Sequence, residues 1–542
     1  MYGKLFKLRD LENRLGRTQT WIDPLWVLVL LLAAFIIYGI NLGDLPLRDW
    51  DEGIVAQVAR EISQAPAGSL RWLYPTLGSE PYINKPPLVH LLIAWAYSIG
   101  GVNEWTTRLP GAILTAISVP LLYGIGRELF PQRRPAIFAS LIYITLLPVV
   151  RHGRLAMLDG VVLCFFLFMM WCLLRSRRDL RYCLGVGIGL GLICLTKGIL
   201  GLLLGAIALS FLAWDTPRLL TSIYFWSGIL IGSAPVAFWY SAQFLHYGQQ
   251  FITNGIINQS FKRVWAPLEN HAGPPWYYLL EILKYNWPWL LFLPQSLIST
   301  WENRNLSWAK LVLVWSSIYL LVISLMSTKL PWYVLPIYPA FALALGAYFA
   351  TIWNWPSTKP YPRAWAVILG LLALVGLVGS IYFGQFAPQP ENDIQLVLIS
   401  IALTMTLAVF LILRRDLQFI PILLWGSYVS LVLLMTSDHW IWELAEDYPV
   451  KPVAVMIQQS DIPLSQKIYT SYPYFRPSLN FYSERQIIPA SSEQLKKYWQ
   501  EEQPPYLLLQ SSLLKNLRLE PVKTLGADQG WTLITRERAV GE

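Results

Sequence analysis

The sequence predicts an α-helical polytopic membrane protein of about thirteen transmembrane helices, followed by a small C-terminal α/β domain outside the bilayer. Three observations predict it. The 542 residues are 55% hydrophobic and only 14% charged, against roughly 25% charged in soluble domains, so a water-facing surface cannot be covered from this inventory. Apolar stretches of about twenty residues recur between short polar or basic loops, which is the length that crosses a hydrocarbon core. The 26 Trp and 28 Tyr suit the headgroup region, where such rings keep one edge wet, although Trp also fills soluble cores.

The elements follow in order. A basic segment, 1–24, carries Lys4, Lys7, Arg9, Arg14 and Arg17. The apolar run behind it has no small-residue cleavage site and is read as a retained first span. The predicted spans are 25–41, 109–127, 136–150, 158–174, 182–197, 198–214, 219–240, 286–300, 309–326, 334–352, 364–384, 396–413 and 418–436. The stretch 86–100 is apolar too, and charge arbitrates its placement. If it does not cross, Arg127, Arg133, Arg134, Arg175, Arg177, Arg178, Arg181, Arg414 and Arg415 all share the side of the N-terminus, as the positive-inside rule requires. If it crosses, those clusters move to the wrong face. It is therefore read as a re-entrant or surface-lying helix, with the N-terminus cytoplasmic and the C-terminus outside.

This topology gives a transmembrane domain, 25–436, with long outer loops at 42–108 and 241–285, and an outward-facing soluble domain at 437–542. The tail alternates strand-like runs (Lys467–Thr470, Tyr506–Leu509, Trp531–Thr535) with helical ones such as Ser492–Trp499, a pattern for a small α/β domain. The net charge of +9 is scattered in short clusters between apolar segments, which argues against a nucleic-acid partner and for the lipid bilayer as partner. Cys164, Cys172, Cys183 and Cys194 sit in or beside apolar runs without metal spacing and read as packing residues.

Function is sought in the outer segments. After the first span comes Arg48-Asp49-Trp50-Asp51-Glu52-Gly53. Carboxylates this close can titrate apart or hold a cation, as acid/base chemistry needs. They also suit a plain helix start ahead of Ile54, Val55, Val58 and Ile62. Further on, Lys85 precedes Pro86-Pro87-Leu88, where a lysine meets a lipid phosphate at headgroup depth or simply snorkels.

Seven pieces in order carry a resemblance. They are Asp51-Glu52, Tyr82-x-x-Lys85-Pro86-Pro87-Leu88, Asn103-Glu104 with Arg108-Leu109-Pro110, Arg154 through Asp159, Thr196-Lys197-Gly198, Pro274-Pro275-Trp276-Tyr277-Tyr278, and Ser327-x-Lys329-Leu330-Pro331-x-Tyr333-x-Leu335-Pro336. The set resembles the GT-C membrane glycosyltransferases, in the branch of the lipid A aminoarabinose transferases and protein O-mannosyltransferases, across most of residues 25–350. Departures are Ile54-Val55, where related aminoarabinose transferases look Arg-Tyr, and Asn84, where they have Glu. The resemblance implies thirteen spans around an outer catalytic cavity. It implies Asp51 as catalytic base, with Glu52 and Asp159 as further catalytic candidates. It implies Lys85 as a ligand of the carrier phosphate, joined by Arg263, Tyr333, Lys329, Tyr82 and Lys197. A stray surface charge for Arg263 and an aromatic-belt place for Tyr333 are the plain alternatives.

What the resemblance implies is a glycosyltransferase. It takes a sugar from a polyprenyl-phosphate carrier and passes it, with inversion, to a hydroxyl or phosphate of a lipid glycan, protein or saccharide at the outer face of a bacterial inner membrane. Such a donor is already activated, so no nucleotide-binding loop is needed, and none is present in the sequence. No cofactor is called for with certainty, and a divalent metal ion is left open. A transporter is the alternative, since many chains with a dozen spans move solutes. The middles 109–126, 136–150, 160–174 and 198–214 contain no Asp, Glu, Lys or Arg, and charges collect at outer ends, which favours surface chemistry. A membrane anchor for the tail is a third reading, and one span would serve it.

Overall fold

The computed structural model describes residues 2–78, 80–267, 271–356, 358–442, 450–463, 466–501 and 503–537, with side chains from residue 21 onward except that of Ser260. The basic side chains from Lys4 to Arg17 lie outside the described ones. The chain forms two compact units. The first comprises residues 1–42, 83–89 and 109–440, and the second comprises 43–82, 90–108 and 441–542. These units are discontinuous in sequence, unlike the sequence division at 436. The loop after the first span packs as part of the tail's own unit.

Among the described residues, ten helices are long and apolar enough to cross a membrane: Trp21–Gly39, Glu104–Leu129, Leu158–Arg175, Leu180–Lys197, Ile223–Tyr247, Ser307–Leu325, Pro331–Trp353, Arg363–Phe386, Asn392–Leu413 and Phe419–Thr436. An eleventh candidate is the pair Arg133–Ile144 and Leu147–Arg154, bent by 59°. Pro148 stands at the start of its second half and cannot donate a backbone hydrogen bond back across the break. The thirteen expected stretches are helical, but two fall short of a span by length. Residues 198–214 form the 16-residue helix Leu200–Asp215. In 286–300, Pro288 and Pro294 split the chain into the turn Trp289–Leu291 and the ten-residue helix Leu293–Glu302. Leu88–Gly100 has 13 residues, about 20 Å of helix at 1.5 Å per residue, short of the roughly 30 Å hydrocarbon layer.

Burial sorts the spans. In Pro331–Trp353, 83% of the apolar window is buried, against 17% in Arg363–Phe386, whose Val367, Leu371 and Val375 point outward, as lipid contact allows. Among the first unit's helices, Leu180–Lys197 and Ile223–Tyr247 touch backbone to backbone. A Cβ on Gly187 would lie 1.9 Å from the Gly228 carbonyl, and one on Gly191 would lie 2.1 Å from the Gly232 oxygen. Only glycine at a four-residue spacing permits that approach. Arg154, fully buried, donates to the carbonyls of Ile37 at 2.7 Å and Ile40 at 2.5 Å, and its guanidinium lies 4.4 Å from the Trp440 ring centroid. It satisfies carbonyls left open at the end of the first span.

The second unit is built on a short hairpin, β1 (Thr76–Leu77) with β2 (Glu80–Pro81), and a mixed sheet. The sheet's strands are β3 (Ile468–Thr470), β4 (Ile487–Pro489), β5 (Tyr506–Gln510), β6 (Val522–Asp528) and β7 (Trp531–Arg536), in spatial order β4-β3-β5-β7-β6. The first three run parallel and β7 pairs antiparallel with both β5 and β6. The apolar run Leu507-Leu508-Leu509 follows from burial on both faces. Leu508 packs with Leu533 and helix Val450–Gln459, while Leu507 and Leu509 pack with Ile534 and helix Ser492–Trp499. Ser491 caps the latter helix, accepting from the Gln494 backbone while the Gln494 side chain accepts from Ser491, a capping box. Helix Asp51–Ser63 joins this unit through Gly53, whose Cβ position lies 2.9 Å from the Ser478 nitrogen, and through Arg60, which donates to the Phe481 carbonyl at 2.6 Å.

Candidate active site

Each unit carries one cluster of the expected residues. In the first unit Lys85 lies on the segment 83–89 and lines a small cleft with Asn84, Lys197, Trp239, Tyr240 and Phe251. The π-helical stretch Phe251–Phe261 closes tightly on this segment, since a Cβ on Gly255 would stand 2.7 Å from the Ile83 carbonyl. Lys197 ends its helix and donates to Asp159 at 2.6 Å, and its ammonium sits 5.3 Å from the Tyr333 ring centroid. Arg263 donates to the Tyr333 hydroxyl at 2.8 Å and to Gln259 at 3.0 Å. Its turn is fixed by Ser327 and Thr328, which donate backbone bonds to the Val264 and Arg263 carbonyls. The pieces separated in sequence as Lys85, Asp159, Lys197, Arg263 and Tyr333 thus come together.

Their electrostatics favour an anion. Three cations stand against one carboxylate, and Asp159 is already held by Lys197. Lys85, half-buried, makes no hydrogen bond or ion pair with any described residue. Burial first, then the charges of Arg263 and Lys197, against the opposite pull of Asp159, hold its ammonium down at about 7. A like-charged, partly dry setting disfavours the protonated form until a negative ligand arrives. Lys329, by contrast, donates to the Ile323 and Ser324 carbonyls at 3.0 and 2.7 Å and is 4% exposed. It finishes the helix Ser307–Leu325 and positions the Leu330–Tyr333 turn.

The second unit holds the carboxylates. Glu52 is fully buried and takes both arms of Arg108, Nε to Oε1 at 2.8 Å and an Nη to Oε2 at 2.9 Å, and accepts from the Arg48 backbone at 2.9 Å. Arg108 also donates to the Leu45 and Pro46 carbonyls, so the pair ties the loop that leads to Asp51. Asp49 is occupied by Arg476 at 2.6 Å and Ser478 at 2.5 Å. Trp50 between them takes φ +62°, a conformation that costs a non-glycine residue and concentrates at functional sites. Asp51 is 29% exposed, and its Arg48 contact lies at 3.3 Å. Tyr82 belongs to this unit, its ring packed edge-on against His90 at 5.2 Å. Among the described residues no three or more His, Cys, Asp or Glu gather as a metal site.

The pocket residues that sequence reasoning missed include Trp239 and Tyr240, which in sequence are two more aromatics near a span end, and Phe251 in the second long outer loop. Arg108 stands out in sequence as part of a motif, but its pairing with Glu52 is not visible without the fold.

Residues 84–240 match the family profile described as dolichyl-phosphate-mannose-protein mannosyltransferase. The chain is 29% identical over 393 residues, 70% of its length and 69% of the relative's, to an undecaprenyl phosphate-alpha-4-amino-4-deoxy-L-arabinose arabinosyl transferase of Pseudomonas fluorescens. Its fold is similar to the crystal structure of ArnT from Cupriavidus metallidurans bound to undecaprenyl phosphate, with TM-score 0.77 and 18% identity, covering 95% of this chain and 99% of that one. The archaeal oligosaccharyltransferase AglB from Archaeoglobus fulgidus, solved with an inhibitory peptide and a dolichol-phosphate, is more distant, at TM-score 0.54 and 13% identity over 91% of this chain and 70% of that one. Over residues 84–240 by profile, over about 70% of its length by relatives and over nearly all of it by fold, the chain is similar to membrane glycosyltransferases of the aminoarabinose transferase and protein mannosyltransferase kind.

Proposed function

We propose that this protein transfers a sugar from a polyprenyl-phosphate carrier, of undecaprenyl type, to an acceptor hydroxyl or phosphate with inversion at the anomeric carbon. The observation that carries the reading is the Lys85 ammonium, unpaired among the described residues, in a cleft where cations outnumber carboxylates. The acceptor oxygen attacks the anomeric carbon and the bond from that carbon to the phosphate oxygen breaks. The acceptor's proton passes to Asp51, and the carrier phosphate leaves with a second negative charge. Lys85 and Arg263 stabilise that growing charge, which is where preorganised cations act most strongly. Lys197 holds Asp159 and orients the Tyr333 ring.

Charge-assisted contacts contribute about 1.5–3 kcal/mol each. Lys85→Ala or Arg263→Ala therefore raises the apparent donor constant roughly ten- to a hundredfold, read from transfer kinetics with a labelled polyprenyl-phosphate sugar. Unchanged donor constants in both folded variants would refute the assignment.

A pH dependence follows. With the empty-site Lys85 at about 7 and a bound phosphate raising it, binding takes up a proton above pH 7. The donor constant is then flat below pH 7 and worsens by up to about tenfold per unit above it, until the bound-state value is reached. Lys85→Arg stays charged throughout and flattens the profile. Identical slopes for wild type and Lys85→Arg between pH 7 and 9 would show that another group sets the dependence.

A further inference from the structure

The cleft beside Lys85 has a second kind of lining. Helix Ile223–Tyr247 brings Trp239 and Tyr240 into its wall. Trp239 is 4% exposed, and its indole nitrogen is buried with no hydrogen-bond partner among the described residues. Buried indole N–H groups ordinarily find an acceptor, because leaving the donor unmet is costly. The ring has no freedom to seek one elsewhere. It is held edge-on by Tyr240, with centroids 4.9 Å apart at 89°, and by Phe251, at 5.7 Å and 82°. Aromatic-belt placement does not account for it, since a belt residue keeps its polar edge in the wet headgroup layer.

Tyr240 is arranged in a matching way. Its hydroxyl makes no hydrogen bond to a described residue, and it lies 3.0 Å from where a Cβ on Gly198 would stand. Gly198 has φ +58°, the left-handed region that glycine takes without strain. Glycine after Lys197 thus serves two needs, the turn that ends the lysine's helix and room for the tyrosine hydroxyl. That gives the Thr196-Lys197-Gly198 motif a purpose beyond its charge. The glycine-to-glycine contacts of this helix with Leu180–Lys197 fix both walls of the cleft relative to each other.

We infer that Trp239 Nε1–H and Tyr240 Oη–H are neutral hydrogen-bond donors to the phosphate oxygens of the carrier that Lys85 holds. This rests on the reading of the cleft as the carrier-phosphate site. The chemistry suits the ligand. The phosphate of a sugar diester has two non-bridging oxygens with more acceptor sites than one ammonium fills, and neutral donors add bonds without adding to the repulsion among Lys85, Lys197 and Arg263. They also keep their protons when Lys85 loses its own, so they act equally across the neutral and alkaline range.

The test uses the full-length protein in lipid nanodiscs with undecaprenyl phosphate as probe and undecaprenol, which lacks the phosphate, as control. Trp239→Phe keeps an aromatic ring and removes the N–H. It is expected to weaken undecaprenyl phosphate binding about tenfold at pH 7 and at pH 9 alike, to leave undecaprenol binding unchanged, and to raise the donor KM with kcat little altered. Tyr240→Phe should weaken binding in the same sense. In the wild-type protein labelled with ¹⁵N-indole, the Trp239 resonance should move downfield on adding undecaprenyl phosphate and stay put with undecaprenol, a readout that does not depend on a variant's folding. Unchanged phosphate binding in Trp239→Phe, together with a static indole resonance, overturns the inference while Lys85→Ala still weakens binding. If Lys85→Ala also binds normally, it is the cleft's assignment that fails.

Discussion

Asp51→Asn is expected to lower turnover by at least about a hundredfold while leaving the donor constant little changed. Asparagine keeps the size of the side chain and one acceptor oxygen but cannot take a proton at neutral pH, so a loss confined to turnover marks base chemistry. A positioned base contributes roughly 10²–10⁴-fold. Of the three carboxylates in this loop, Asp51 is the most exposed. Its neighbours on both sides are committed, Asp49 to Arg476 and Ser478, and Glu52 to Arg108. Asp51 retains 29% exposure at the start of its helix, directly after the strained Trp50. Strain of this kind persists only where surrounding contacts over-determine it, and the Glu52–Arg108 and Asp49–Arg476 pairs supply those contacts. Transfer assays with saturating donor measure the effect. Near-normal turnover in Asp51→Asn, with Asp159→Asn inactive, would move the base to the first unit.

The membrane class and most span positions are legible in the sequence because apolar runs about twenty residues long match the hydrocarbon thickness of a bilayer and seldom occur elsewhere. Residues 286–300 are not, since hydropathy counts Pro288 and Pro294 as mild residues while the helix they interrupt loses its hydrogen bonds. In the tail, Lys467–Thr470, Tyr506–Leu509, Trp531–Thr535 and the capped helix Ser492–Trp499 carry strong local signals, and all four are found. Val522–Asp528 escapes such reading because this edge strand is largely exposed and contains Gly526. The ordered motifs name Lys85, Lys197 and Tyr333, the resemblance adds Arg263 from the second long outer loop, and these converge. Lys329 and Tyr82, named by the same kind of signal, have other contacts: Lys329 ends at two backbone carbonyls and Tyr82 packs on His90. What separates the lysines is whether an ammonium ends at two backbone carbonyls, as in Lys329, or faces a cleft, as in Lys85, and sequence spacing does not encode that. The pairing of Glu52 with Arg108, 56 residues away, is likewise a product of the fold.

That pairing makes the second large expectation one of stability. Both partners are fully buried, and breaking a buried pair by neutralising one partner typically costs about 3–5 kcal/mol, because the remaining charge has lost its compensation. Glu52→Gln is therefore expected to lower the folded yield and the thermal midpoint in detergent markedly, far more than Asp51→Asn, whose carboxylate is partly solvated. Arg108→Met should do the same and also release the Leu45 and Pro46 carbonyls. If the role is structural, the double variant Glu52→Leu with Arg108→Met is less damaging than the two single changes added together, since an apolar pair of similar volume replaces a salt bridge at little net cost. Turnover per folded molecule separates this from chemistry. In Glu52→Gln it should fall by no more than about tenfold, from imperfect placement of Asp51, against the hundredfold or greater loss in Asp51→Asn. A Glu52→Gln protein with normal stability but no turnover would reverse the two roles, making Glu52 the base and Asp51 its solvated neighbour.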